Sequence, residues 1–412
     1  MMEQPIGKVY SQVVNVLIFI FPTVVISLQV VGDIVLVILA IMGIYVAISK
    51  KLSPFTIIEI KVFSYLTFGY FIVICLSVLF SGQVAELAHY IPRDFYFLFA
   101  PFIALALFKA EININYLMIS IKVALLILGL IVIEELVSGS LMAHRPSGVM
   151  NPIIFGNLSV SLFFTALVFS RHEDFKYRIL TVLSLLAGLL AIVASGSRGA
   201  WLSFFILLIF YLYFLSKQTT VIQKRFKFFI VLIISFIVFF GGTNQYVKDR
   251  AYSVYQMFSS LIIEHKVPNS SGLRFAMYSK AINNIEEVPF FGYGLRTSNT
   301  SLFNNKSSVL ERRLARFNHL HNAYLTNYYN GGILLLVALL LLLFLPLRIF
   351  LNANSQNREN PVFISGALLA VGYASFGMVN ILLGDTYMNG FYTFFLAIFM
   401  LLHAQSVKIS ST

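Results

Sequence analysis

Three side chains combine a reactive type with an unusual setting. Arg198 lies in Ser195-Gly196-Ser197-Arg198-Gly199, between two apolar runs. That hairpin is short enough to hold a guanidinium at a membrane interface. Small residues let a ligand approach the backbone, and a rigid arginine fork suits phosphate. The plain alternative is a snorkelling arginine touching lipid headgroups. Arg274 follows Asn269-Ser270-Ser271-Gly272. It is expected to open a helix over 272–287, where free amides favour an anion. Its plain alternative is a solvated loop arginine. His321 sits in Phe317-Asn318-His319-Leu320-His321-Asn322, just before an apolar run. An unperturbed imidazole, with a pKa of about 6.5, suits proton transfer near neutrality. The alternative is an interfacial histidine bonded to a helix end. His319, two residues away, would not share a helix face with it and reads as a support or loop residue.

Other motifs point away from metals and nucleotides. No Asp-x-Asp occurs, and Asp33 and Asp385 each stand alone in a short connection. The neighbouring pairs Glu134–Glu135 and Glu286–Glu287 diverge on a helix. Cys75 is the one cysteine, so no internal disulfide and no cysteine metal cluster can form. Phe291-Gly292-Tyr293-Gly294 follows no strand and reads as a turn. Tyr278, Tyr293, Tyr324, Tyr328 and Tyr329 can stack on sugars, with interfacial anchoring as the default. Neither a metal nor an organic cofactor is expected.

The elements that position these residues follow from composition. The chain has 412 residues, 59% of them hydrophobic and 11% charged, with a mean hydropathy of +0.86. Soluble domains carry roughly 25% charged residues. An ordinary cytosolic enzyme, a disordered protein and a nucleic-acid-binding domain are therefore excluded, despite the net charge of +12. About 20 apolar residues cross a bilayer. Twelve such runs occur, near 11–31, 34–49, 62–81, 95–108, 116–136, 153–170, 179–195, 199–216, 226–242, 326–347, 362–383 and 387–404. The fourth is short. The first lacks a small-residue cleavage site and reads as a retained helix.

Lys and Arg in short loops set orientation. With a cytoplasmic N-terminus, the inside loops hold fifteen cations and the short outside loops only Arg93, Arg145 and Arg198. Both termini are then cytoplasmic. The exception is residues 243–325, a long extracytoplasmic loop with ten cations against five acids. Long loops are exempt from the rule. Helical patterning at 250–263, 272–287 and 308–317 makes it a small basic cap on the membrane. The expected units are 1–242 (nine membrane helices), 243–325 (the helical cap) and 326–412 (three more helices and a tail).

Several segments, in order, resemble the O-antigen ligase family within its wider ligase/polymerase superfamily. They are Arg145-Pro-Ser-Gly-Val-Met-Asn-Pro152, the Arg198 hairpin, Gly272-Leu-Arg274-Phe-Ala-Met-Tyr278, Pro289-Phe-Phe-Gly292-Tyr-Gly294, and His321-Asn322 followed after nine residues by Gly332. The match is strongest over about 140–340. One position departs: a second small residue often follows three positions after that glycine, and here it is Leu335.

The resemblance implies an all-α, multi-pass inner-membrane enzyme of GT-C-like architecture with a periplasmic active site. It would move a glycan from undecaprenyl diphosphate to a sugar of lipid A–core without a metal ion. His321 would be the general base, and Arg198 and Arg274 would hold the donor diphosphate. Arg145, Arg296, Arg312, Arg313, Arg316, Asn322 and Tyr278 are further substrate-binding candidates. Membrane lipids are partners and nucleic acid is not. The nearest alternative is an O-antigen or exopolysaccharide polymerase. A protein O-glycan ligase and a transporter or flippase are more distant. A transporter places ionisable groups near the bilayer midplane, and here only Lys122 is clearly intramembrane.

Overall fold

A computed structural model describes residues 6–82, 91–138, 147–172, 175–218, 269–303 and 309–411. Among these residues there is helix and no strand. The membrane helices are α1 (Lys8–Ser27), α2 (Gln29–Ser49), α3 (Lys61–Phe80), α4 (Phe95–Phe108, entered through a 3₁₀ turn Ile91–Asp94), α5 (Ile114–Val137), α6 (Pro152–Phe169), α7 (Arg178–Ala194) and α8 (Arg198–Ser216). Three short helices follow, α9 (Asn269–Asn283), α10 (Ser298–Leu302) and α11 (Val309–Leu314). Then come α12 (Ala323–Gln356), α13 (Pro361–Gly377) and α14 (Thr386–Ser411). Nine described helices are long and apolar enough to cross a membrane, and α7 and α13 are shorter apolar ones. At 17 residues each, these two rise about 25 Å, slightly less than a typical hydrocarbon core. The expected run 226–242 and the amphipathic stretch 250–263 lie outside the described residues.

Local chemistry sets many of the helix starts. Asn113, Asn151, Ser197, Asn322 and Asn360 each cap a helix by accepting a backbone N–H with the side-chain oxygen. Asn151 and Asn360 are followed by Pro at the first helical position, where its missing N–H costs nothing. The Asn-Pro of the 145–152 segment is thus a helix start.

Helix α6 lies at the centre, buried from Ile154 to Phe169 and packed by α5, α7, α8 and α13. Apolar side chains such as Val37, Ile41, Leu130, Phe205 and Leu341 face outward. Between the helices close packing takes over from hydrophobic exclusion. Gly43 of α2, for example, touches the backbone of Phe102 on α4, and a Cβ there would overlap its carbonyl. Lys122 is 2% exposed inside α5, with its ammonium over the Tyr177 ring.

One end of the bundle is knitted together by polar contacts. Tyr96 donates to Asp33 (2.7 Å), Asn389 to the Arg93 carbonyl (2.7 Å), Ser77 to the Asn330 carbonyl (2.7 Å), and Gly148 N–H to Glu135 (3.1 Å). Gln29 bonds Thr386 at the same end. A separate small core there, built on Met277, Ala281, Phe303, Leu314, Leu320 and Tyr329, packs α9–α11 onto the start of α12. Connections at the other end carry Lys50, Lys51, Lys109, Arg178, Lys217 and Arg358.

Two elements differ from expectation in ways that shape the site. The run 362–383 is helical only to Gly377, and 378–385 is an irregular segment. Helix α12 is broken at Gly331 (φ −132°, ψ 17°) and Gly332 (φ 64°, ψ −162°). That break releases backbone carbonyls, which a membrane interior cannot leave unpaired. Tyr293 and Gly294 donate their N–H groups to the carbonyls of Tyr329 (2.8 Å) and Asn330 (2.9 Å).

Candidate active site

His321 has a left-handed backbone, φ 53°. Such a conformation costs a non-glycine residue about 1–2 kcal/mol and needs support. The Tyr278 hydroxyl supplies it, donating to the His321 carbonyl at 2.7 Å. Asn322 then caps α12 by accepting from Leu325 N–H (3.0 Å) and donates to the Met378 carbonyl (3.3 Å). Leu320 is buried, and its N–H bonds the Thr326 hydroxyl at 3.2 Å. The imidazole is therefore aimed by its neighbours on both sides in sequence.

His319 lies in the loop and packs against His321. The 317–322 segment is not helical, so the helix-face argument does not apply. The two imidazoles meet edge-on with centroids 4.4 Å apart, and Phe317 abuts His321 at 5.4 Å. His319 Nε2 and His321 Nδ1 are buried without a protein partner. Asn380, from the irregular 378–385 segment, hydrogen-bonds to this pair. Sequence reasoning missed Asn380. The signal was an asparagine inside an apolar run, a costly placement in a membrane.

Arg274 lies beside the two histidines, close enough for its charge to act on both. Its expected place at a helix start is not what the fold gives. Helix α9 begins at Asn269, so Arg274 sits in its second turn and the helix-terminus argument for an anion does not hold there. The regular helix also stops at Asn283, with a 3₁₀ turn Ile285–Glu287. Arg198 is the first residue of α8, after the Ser197 cap and Gly196. Gly199 packs on Val379, with no room for a Cβ. The Arg198 hairpin and the histidine pair thus flank the same Met378–Asn380 segment.

The remaining candidates divide. Arg296 (φ 61°) lines a cleft with Arg93, Asp94, Asn327 and Asn330. Arg312 and Arg316 are exposed. Arg145 and the Arg313 side chain lie outside the described residues. The tyrosines serve as struts. Tyr278, Tyr293, Tyr324, Tyr328 and Tyr329 each donate the hydroxyl to a backbone carbonyl, of His321, Glu287, Ala374, Ile285 and Ala281 respectively. Asp33 and Asp385 are not isolated: both act on Tyr96 and Tyr387, and Arg93 faces Asp94 and Asp385.

Electrostatics keeps the imidazoles neutral. Burial, then the His319 and Arg274 charges, push His321 down to about 3, against the pull of Asn380. Burial and Arg274 likewise lower His319. Burial also lowers Arg274. The site therefore holds two proton acceptors next to a fixed cation. That arrangement can take a proton from a hydroxyl while a guanidinium faces an anion.

Residues 183–340 match the family model described as O-antigen ligase. Over that segment the chain resembles the O-antigen ligase family. A protein of Haemophilus influenzae, described only as uncharacterized, is 24% identical over 219 residues. The match covers 50% of this chain and 53% of that protein, so the chain spans about half the length of this relative.

The O-antigen ligase segment contains Arg198, Arg274, Arg296 and His321, while Asn380 and Arg93 lie outside it. It also contains both halves of the α12 break. A Cβ on Gly332 would overlap the Phe290 carbonyl, and one on Gly292 (φ 72°) would overlap Asn330. The Pro289–Gly294 stretch and the glycine after His-Asn-x9 are thus fitted to each other. The departure at Leu335 is compensated. Its side chain, 2% exposed, occupies the space a Cβ on Gly331 would need.

Proposed function

We propose that this protein acts as an O-antigen ligase and transfers a glycan from undecaprenyl diphosphate to a sugar hydroxyl of lipid A–core, on the periplasmic side of the inner membrane. The bundle is read as a GT-C-like glycosyltransferase. The acceptor oxygen attacks the anomeric carbon, and the bond from that carbon to the diphosphate oxygen breaks. The acceptor proton passes to a ring nitrogen of His321. The electron pair leaves with undecaprenyl diphosphate, whose charge Arg274 and Arg198 hold. His321 acts as base and the arginines stabilise charge that grows in the transition state.

The observation that carries this reading is the neutral, half-buried His321 beside Arg274, with the Arg198 hairpin across Met378–Asn380. Burial and Arg274 hold the imidazole unprotonated at neutral pH. Donor diphosphate would offset the arginine field and make the same imidazole a stronger base. No step of this reading uses a metal ion. The His-Asn-x9-Gly spacing favours a ligase over a polymerase.

Gene deletion separates these two. Loss of a ligase leaves long glycans on the carrier lipid and lipid A–core without them. Single repeat units on lipid A–core would instead assign the protein as a polymerase.

A further inference from the structure

A cleft opens between the second half of α3, the Ile91–Asp94 turn, the Leu295–Arg296 turn, the first turns of α12 and residues 381–384. Its polar lining is Tyr70, Arg93, Asp94, Arg296, Asn327 and Asn330. Asn330 is 7% exposed, and its Oδ1 has no partner. Its backbone carbonyl is taken by Ser77 and Gly294, and the residue lines the cleft. Asp94 is 6% exposed and receives one long hydrogen bond, from Asn389 at 3.4 Å. A buried acceptor without a donor costs about 1–3 kcal/mol, a cost that an O–H or N–H from a bound ligand would relieve.

Charge narrows the ligand class. The two guanidinium groups do not make a strongly basic site, because Arg93 faces both Asp94 and Asp385. A polyanion is disfavoured by those carboxylates. Acceptors and donors side by side suit groups that both give and take hydrogen bonds. Ile74, Leu335 and Leu383 form an apolar wall, which suits the C–H face of a ring. Thr326 lines the cleft and also bonds Leu320, next to His321. The cleft therefore adjoins the histidine segment.

We propose that this cleft is a saccharide subsite, in which Asn330 and Asp94 accept sugar hydroxyls and Arg93 and Arg296 donate to ring or hydroxyl oxygens. Its assignment to a reacting sugar rests on the transfer reading above. The sugar belongs either to the donor glycan or to the acceptor core.

The test uses the full-length protein in detergent. Arg296→Gly removes the guanidinium at a position where φ 61° suits glycine. Asp94→Asn is its isosteric companion, with thermal unfolding as a control for folding. Loss of one or two hydrogen bonds should raise KM roughly 10-fold for one substrate and leave kcat nearly unchanged. A rise for carrier-linked glycan assigns the cleft to the donor, and a rise for lipid A–core assigns it to the acceptor. KM values unchanged for both substrates in both folded variants would overturn the proposal.

A binding measurement separates this from the transfer reading. Delipidated core oligosaccharide and delipidated glycan are titrated against wild type and Arg296→Gly. Tighter binding to wild type supports the subsite even if no transfer occurs. Equal binding to both proteins, or none to wild type, sinks it.

Discussion

His321 combines two costs, a left-handed backbone and an imidazole whose Nδ1 is buried without a protein partner. Both make sense if the ring must be neutral and fixed in aim. Because kcat/KM reports the free enzyme, its acid limb should lie well below the ordinary histidine value of about 6.5. Activity per substrate encounter should stay level from pH 7.5 to about 5.5, since His321 is held down to about 3. Arg274→Gln removes one cause of that depression, so the limb should move to higher pH even as activity falls. A wild-type limb centred at an ordinary histidine pKa would contradict the assignment. The same shifts act on stability. His319 and His321 have folded pKa values below the unfolded one, so their contribution is intact above about pH 6.5 and is lost as pH falls below it. Thermal unfolding in detergent should therefore soften between pH 7 and 5. Residue type and its place before an apolar run made His321 a candidate in the sequence, and the family resemblance supplied its proposed role. The bend that aims it was not legible, because Tyr278 and Asn380 reach it from 43 residues upstream and from beyond the next two membrane helices.

The α12 break is the element on which the site hangs. Its freed carbonyls bind the Gly292–Gly294 stretch and Ser77, and so pin the cap to α3 and α12. Gly332→Ala meets both a positive φ and the Phe290 carbonyl. It should cost at least about 2–3 kcal/mol and lower the melting temperature sharply. Gly331→Ala should also destabilise, through the Leu335 side chain. Adding Leu335→Ala should recover part of that loss, a coupling read from a double-mutant cycle. Strict additivity would refute the compensation. Apolar runs and Asn-Pro signals made the membrane helices readable, since each depends on neighbouring residues. The helix break, the start of α9 at Asn269 and the end of α13 at Gly377 depend on distant partners. A stretch of Leu and Val such as 333–343 reads as helix with or without a break just before it.

For the whole molecule, charge sets the frame. Cations crowd the connections at one end, while His321, Arg198 and Arg274 gather at the other. On the proposed reading, the positive-inside rule places the end that carries His321 outside the cytoplasm. In a Cys75→Ser background, a membrane-impermeant thiol reagent added to spheroplasts should label Gly82→Cys and not Lys51→Cys. The reverse pattern would invert the molecule and place the chemistry on the wrong side for its substrates. The bundle was legible from composition because bilayer thickness fixes helix length. The clefts between helices were not, because they depend on which faces meet. The most direct measurement is transfer by purified protein given carrier-linked glycan and lipid A–core in metal-free detergent solution, comparing wild type with His321→Asn, which tolerates the left-handed backbone. The account predicts glycosylated lipid A–core from wild type and a loss of about 100- to 10,000-fold in kcat for the folded variant. Wild-type turnover in folded His321→Asn would contradict it.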